Sequence, residues 1–267
     1  MSPRAPLRAV WLAMLFTMAG FAPAQAKAPA TVRCAGARDS GDAAADVARD
    51  FKPGVAPRIF LALGRDRYAT LKQVLAAGDD PNACHSGMSP LMLAIASGDL
   101  KAVTMLLDAG ARTDSPRDAI GATPLQHALS APQFAIAGLL LDRGADARLV
   151  DDGAKTALHS LALQPLPPAP QRALQIALAG RLLRLQVPLN AVHVQGSTAL
   201  HMAIASGNLD LMSFLLDQHA DPALPNKRGE DALAYARRLG HAALVARLEQ
   251  HLASVAAPAA SAQKHTP

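Results

Sequence analysis

The sequence predicts an all-α stack of about six helix-turn-helix units, and three observations predict it. A motif returns every 33 residues or so. The apolar half of the composition, 51% of residues, is dominated by Ala and Leu, with only 3% aromatic residues. Ser-Pro or Thr-Pro pairs and single glycines punctuate the chain where short helices would start and stop. Ala and Leu suit thin, close-packed helices, whereas β-branched and aromatic residues are too few for a large sandwich or barrel. Two cysteines exclude a disulfide-dense scaffold and a four-cysteine zinc site.

The chain opens on an export signal. Arg4 and Arg8 make a short positive region, Ala9 to Phe21 carry no charge, and Ala24-Gln25-Ala26 has the small-x-small pattern of a cleavage site. Residues 1–26 are therefore expected as a signal peptide cut after Ala26. The uncharged run is shorter than the about 20 residues a spanning helix needs, so no stable membrane insertion is expected after cleavage. Loss of Arg4 and Arg8 takes the formal net charge from +5 to +3. Despite an isoelectric point near 9.6, no basic stripe is interleaved with aromatics, and no nucleic-acid partner is expected. Residues 27–56 match no repeat, and Asp42 to Phe51 could form a capping helix.

The repeats follow. Ser89-Pro-Leu-Met-Leu-Ala-Ile-Ala-Ser-Gly-Asp-Leu100 agrees almost position for position with Thr198-Ala-Leu-His-Met-Ala-Ile-Ala-Ser-Gly-Asn-Leu209. Thr123-Pro-Leu-Gln-His-Ala128 and Thr156-Ala-Leu-His159 start further copies, and weaker ones begin at Pro57 and Asp231. The unit starts, 57, 89, 123, 156, 198 and 231, are separated by 32, 34, 33, 42 and 33 residues. Ser or Thr caps the first helix, Pro90 and Pro124 fall in its first turn, and Gly98 and Gly207 end it. Val103, Leu106 and Leu107 give the second helix its apolar stripe. No unit can bury its apolar face alone, so stacking makes one core over 57–252.

The interval of 42 marks an insertion in the fourth unit at 164–173, around Gln164-Pro-Leu-Pro-Pro-Ala-Pro-Gln171. Its prolines predict an extended loop before a long second helix from Gln171 to Leu185, a tolerated insertion or a second docking element. Arg237, Arg238, Arg247 and Glu249 make the last unit polar, as a cap requires. Residues 253–267, rich in Ala, Pro and Ser, read as a disordered tail.

With its 33-residue period and its Thr-Pro-Leu-His-x-Ala-like motifs, the chain resembles the ankyrin repeat family. The turns between units carry the same likeness. Asp118-Ala-Ile-Gly121-Ala matches the family's Asp-x-x-Gly finger, and His193 and Asn226 replace the Asp in two others. Cys84 stands there in the first finger. Asp151-Asp-Gly153 has its glycine one place early, which predicts a distorted turn.

The resemblance implies a non-enzymatic scaffold that binds a protein partner through a concave face of fingers and inner helices. The implied contact positions in the fingers are His85, Ser86, Met88, Ile120, Asp152, Lys155, Val194, Gln195, Ser197, Lys227, Arg228 and Glu230. On the inner helices they are Leu93, His127, Ser160 and Met202. His159 and His201 fall at the motif's own histidine position, a structural role. Exported bacterial ankyrin proteins are similar, which implies a periplasmic or secreted monomer supporting an envelope or stress-response enzyme.

No nucleophile–base motif, metal-ligand spacing or phosphate loop is present, so no cofactor, metal or catalytic residue is expected. In an oxidising compartment Cys34 and Cys84 would pair, tying the N-terminal segment to the first finger; two free thiols are the alternative. Two other readings stay open. One is a structural envelope component tethered by an uncleaved N-terminus. The other is a ligand-binding or redox protein using Cys84 and His85.

Overall fold

A computed structural model of the chain describes residues 56–262 apart from 65, 115–117 and 119, with side chains through 255. The chain divides into two units, Met1–Ala30 and Thr31–Pro267, and the described residues belong to the second. The expected signal peptide, the capping helix at Asp42–Phe51 and Cys34 lie outside the described residues.

Among the described residues there are twelve helices and no strand. They are α1 (Arg58–Leu61), α2 (Tyr68–Ala76), α3 (Pro90–Ala96), α4 (Leu100–Asp108), α5 (Pro124–Ser130), α6 (Phe134–Asp142), α7 (Ala157–Ala162), α8 (Ala169–Arg184), α9 (Ala199–Ala205), α10 (Leu209–Asp217), α11 (Ala232–Leu239) and α12 (Ala242–Ala262). Odd numbers are the first, inner helices of the six units, and even numbers the second, outer ones. From α3 onward each inner helix packs on the next inner helix, and from α2 each outer helix packs on the next outer one.

The starts of the inner helices follow from their caps. The side chains of Ser89, Thr123, Thr156, Thr198 and Asp231 each accept the amide hydrogen three residues on, satisfying a donor that the helix itself leaves open. Gly98 and Gly207 then turn the chain at φ +69° and +67°, where a side chain would be strained.

The core is a column of small and medium side chains. Ala94, Ala128, Ala203 and Ala236 occupy equivalent inner-helix positions, each with an exposure of 1% or less. Repeat four places Leu161 there, and the next position compensates: Ile95, Leu129 and Ile204 correspond to Ala162. Both residues are fully buried, so the layer keeps its volume by exchanging neighbours. On the outside, Asp108, Asp142 and Asp217 close three outer helices, where a negative charge opposes the dipole. Each takes an arginine from the following repeat, Arg143, Arg181 and Arg247, at 2.7, 2.7 and 2.9 Å.

Three expectations are corrected. The extended loop in the insertion at 164–173 is shorter than expected, because the long second helix starts at Ala169 rather than Gln171: α8 runs sixteen residues where α4, α6 and α10 run nine. Pro170 sits in its first turn, where no amide donor is missed, so the prolines crowd into Pro165–Pro168. Arg172 donates to the Pro167 carbonyl at 2.9 Å and holds the short loop to the helix. The finger at 151–155 is not distorted, as described below. Finally, α12 continues to Ala262, through ten of the residues expected in the tail.

Candidate functional site

The fingers are hydrogen-bonded turns. In the one that opens the third repeat, and takes its number from it, the Asp118 amide donates to the Ala122 carbonyl at 3.3 Å and the Gly121 amide returns to Asp118 at 3.1 Å. Asp118 Oδ1 accepts the amides of Ile120 and Ala122 at 3.0 and 2.7 Å. The fourth repeats this plan with Asp151: its amide donates to the Lys155 carbonyl at 3.1 Å, and its carboxylate accepts the Lys155 amide at 2.8 Å. The early glycine therefore leaves the turn intact. Ala154 takes the left-handed position instead, at φ +58°, where the other fingers have Gly121, Gly196 and Gly229.

The finger at Cys84, first along the chain and opening the second repeat, solves the problem differently. Cys84 is a poor acceptor, and the turn closes one residue later. His85 and Met88 pair through both backbone hydrogen bonds at 3.0 Å, around Ser86 and Gly87 at positive φ. This is a two-residue hairpin.

Fingers are joined to each other and to the helices behind them. The Asp152 amide donates to the Ile120 carbonyl at 3.0 Å, and the Val194 amide to the Gly153 carbonyl at 2.9 Å. His159 Nε2 reaches the Ser197 carbonyl at 3.1 Å, and His201 Nε2 the Glu230 carbonyl at 3.3 Å. In each ring Nδ1 accepts the cap threonine's amide hydrogen, which leaves Nε2 as the donor. The motif histidines are therefore structural. Burial pushes the His159 pKa down to about 4, with opposing help from its bond to Ser197, and lowers that of His201 for the same first reason.

The expected contact residues fall into rows. One inner-helix row is Leu93, His127, Ser160 and Met202. Ile120, His127, Lys155, Ser160 and Leu163 are among the residues lining one shallow cavity of about 180 Å³. Ser160 is only 4% exposed and lines the floor rather than standing proud. Leu93 and Met202 pack partly against the core, so they offer less apolar surface than expected. Ile120 and Val194 offer more, at 57% and 54% exposed. His85 leans on the Phe60 ring at 5.5 Å. Ser86, Met88 and Ser197 are half-buried, while Asp152, Gln195, Lys227 and Arg228 are exposed.

The row continues to Tyr235, which the sequence reading missed. Tyr235 lies 5.6 Å from the His201 ring, with Arg238 over its face at 4.9 Å. The signal was present: Asp231-Ala-Leu-Ala-Tyr235 aligns Tyr235 with Met202 once the weak last copy is registered on its cap.

The acids of this face are engaged within the stack. His127 Nε2 lies 2.7 Å from Asp118 Oδ2. Burial raises the Asp118 pKa, but the His127 contact and the two backbone amides outweigh it, and the net shift is downward. Glu230 is held by Arg238 at 2.5 Å and by Asn226 at 2.9 Å, and its pKa is lowered first by Arg238. Neither Lys227 nor Arg228 makes an ion pair among the described residues. Among those residues no group of three or more His, Cys, Asp or Glu could hold a metal, and no helix is long and apolar enough to cross a membrane.

Residues 59–151 and 173–257 match the family model of ankyrin repeats. The chain belongs to the ankyrin repeat family. The unmatched stretch between the two segments, 152–172, contains the first helix of the fourth repeat and its proline-rich loop. The ankyrin stack is 34% identical over 205 residues to the mouse ankyrin repeat and MYND domain-containing protein 1, covering 62% of this chain and 23% of that protein. The human protein of that name is 33% identical over 221 residues, 67% of this chain and 24% of its own length. A mouse B-cell lymphoma 3 protein homolog is 29% identical over 154 residues, 56% of this chain and 33% of that one. The chain thus spans about a quarter to a third of these relatives, which are animal proteins rather than exported bacterial ones.

Proposed function

We propose that this ankyrin stack is a non-enzymatic protein-interaction scaffold that takes its partner along the fingers and inner helices. The observation that carries the reading is an imbalance on that face. Asp118, Asp151 and Glu230 are engaged by His127, the Lys155 amide and Arg238, whereas Ile120 and Val194 are bare and Lys227 and Arg228 are unpaired among the described residues. An apolar strip ending in cations fits a partner segment with apolar side chains followed by acidic ones.

Partner capture by wild type should be lost in two variants, Val194→Glu/Gln195→Glu and Lys227→Glu/Arg228→Glu, with unchanged Tm. Capture left intact in both would contradict the proposal. Loss in the first alone would retain the face and reject the acidic partner.

The same reading places the protein, as a monomer, in the bacterial periplasm or outside the cell, on the strength of Arg4, Arg8, the apolar run and Ala24-Gln25-Ala26. A resemblance to exported bacterial ankyrin proteins supports an envelope or stress-response enzyme as partner. A mature chain beginning at Lys27 in mass spectrometry would agree; an intact N-terminus would favour a tethered component. A Cys34–Cys84 bridge belongs to the same reading. It is supported by the two-cysteine composition and by the lack of a free thiol among the described residues. Two titratable thiols in the denatured, unreduced protein would reject it.

A further inference from the structure

The fifth finger is built on a histidine where its neighbours use oxygen acceptors. Asp118 Oδ1 accepts the Ile120 amide at 3.0 Å, Asn226 Oδ1 accepts the Arg228 amide at 2.8 Å, and His193 Nδ1 accepts the Gln195 amide at 3.0 Å. An Asp or Asn oxygen keeps accepting in mild acid. An imidazole Nδ1 has one lone pair, and a proton removes it.

We propose that His193 makes the fifth finger acid-labile, so that protonation releases the turn 193–197 and loosens the junction between the fourth and fifth repeats. With Nδ1 accepting, the ring proton sits on Nε2, and Nε2 is buried without a partner. The neutral ring already carries one unmet donor, and the cation would carry two. The residue is only 3% exposed. Its ring meets the His159 ring edge to face at 5.4 Å. His159 brings no negative charge, and Lys155 from the fourth finger, Lys227 from the sixth and His201 from α9 all oppose a second cation. Asp151 alone among these groups favours it. Burial first, and then Lys155, depress the His193 pKa. A folded-state pKa held down means that the turn is intact above the ordinary histidine range and is lost as pH falls below it.

Release would have reach. The His193 amide bonds the Ser197 carbonyl and the Gly196 amide bonds the His193 carbonyl, at 3.2 and 2.7 Å. Ser197 O is also where His159 holds the fifth repeat, and the Val194 amide holds the Gly153 carbonyl. One protonation thus undoes the turn and both of these bonds across the junction. Opening of the finger stands on this geometry alone. Its effect on partner binding rests on the function proposed above, because Val194 and Gln195 are carried by the same turn.

The test is amide hydrogen exchange at pH 7.5 and 5.0, corrected for intrinsic rates, on wild type, His193→Asp and His193→Asn. Asn226 in the sixth finger shows that Asn serves this position. At pH 5.0 the amides of Gln195 and Gly196 in wild type should lose protection by roughly tenfold or more relative to those of Gly121 and Ala122, while both variants hold theirs. Protection in wild type that ignores pH, or an equal loss in both variants, would overturn the proposal. Partner capture that persists at pH 5.0 while the finger exchanges freely would count instead against the binding face.

Discussion

Gln126 Nε2 donates to the Lys155 carbonyl at 2.7 Å, and this bond is the glutamine version of what His159 and His201 do one and two repeats later. All three side chains also close a capping box with their threonine. Repeat two has Met92 at this position, a side chain that offers no such donor.

That equivalence predicts His159→Gln. The substitution keeps the donor and removes the titration. Wild type should be destabilised as pH falls from 6.5 towards 4, because the unfolded chain takes up a proton that buried His159 refuses. With the His159 pKa near 4, this residue accounts for a loss of about 3 kcal/mol by the end of that window. His159→Gln should match wild type within about 1 kcal/mol at pH 7 and show a shallower acid slope. Urea midpoints at pH 7, 5.5 and 4.5 measure both. An unchanged slope would assign the acid loss to other groups.

Ala154 holds a left-handed position that is glycine in the other fingers, at Gly87, Gly121, Gly196 and Gly229. Ala154→Gly relieves a strain of about 1–2 kcal/mol, partly offset by the greater freedom of glycine in the unfolded chain. A net gain of roughly 0.5–1 kcal/mol in chemical denaturation is expected.

Two finger glycines should respond unequally to alanine. A Cβ on Gly196 would lie 2.5 Å from Lys227 Cγ and 2.7 Å from the Lys227 backbone nitrogen, whereas one on Gly229 would meet nothing within 4 Å. Both sit at positive φ. Gly229→Ala should cost about 1–2 kcal/mol of stability, and Gly196→Ala roughly 3 kcal/mol or more, because the next finger must move. Equal costs would mean that the fingers do not pack as described.

The lengthened fourth repeat is tied in by a buried amide pair. Asn208 Nδ2 donates to Gln175 Oε1 at 2.9 Å, Gln175 Nε2 reaches the Leu161 carbonyl at 3.3 Å, and Asn208 Oδ1 caps α10 on the Leu211 amide at 3.0 Å. Asn208→Ala removes the cap and strands Gln175, at an expected cost of roughly 2–3 kcal/mol in thermal or urea unfolding.

Much of this architecture could be read from the residues because the repeat states each rule several times. A cap threonine, a leucine two residues on and a glycine at the turn recur in phase, so the inner helices, their caps and the buried histidines were legible. The long second helix of the fourth repeat was legible as well, but its start was placed two residues late, because nothing in a proline-rich run marks which proline opens the helix. The Ala154 turn was misread for a related reason: a glycine pattern reports where strain is absent, not where a structure tolerates it. On the candidate face, Met202 and Leu93 were legible as variable positions, but their lean into the core depends on neighbouring layers. Tyr235 was missed because its copy of the motif has lost the threonine, with Asp231 doing the same capping.

In the proposed complex the finger side, and not the outer helices, meets the partner. A photo-cross-linking residue placed at Val194 in one protein and at Leu174 on α8 in another tests it directly, since both sites are apolar and exposed, at 54% and 40%. A discrete cross-linked partner is expected from Val194, lost on adding Lys227→Glu/Arg228→Glu, and none is expected from Leu174. The same partner captured from Leu174 and not from Val194 would contradict it.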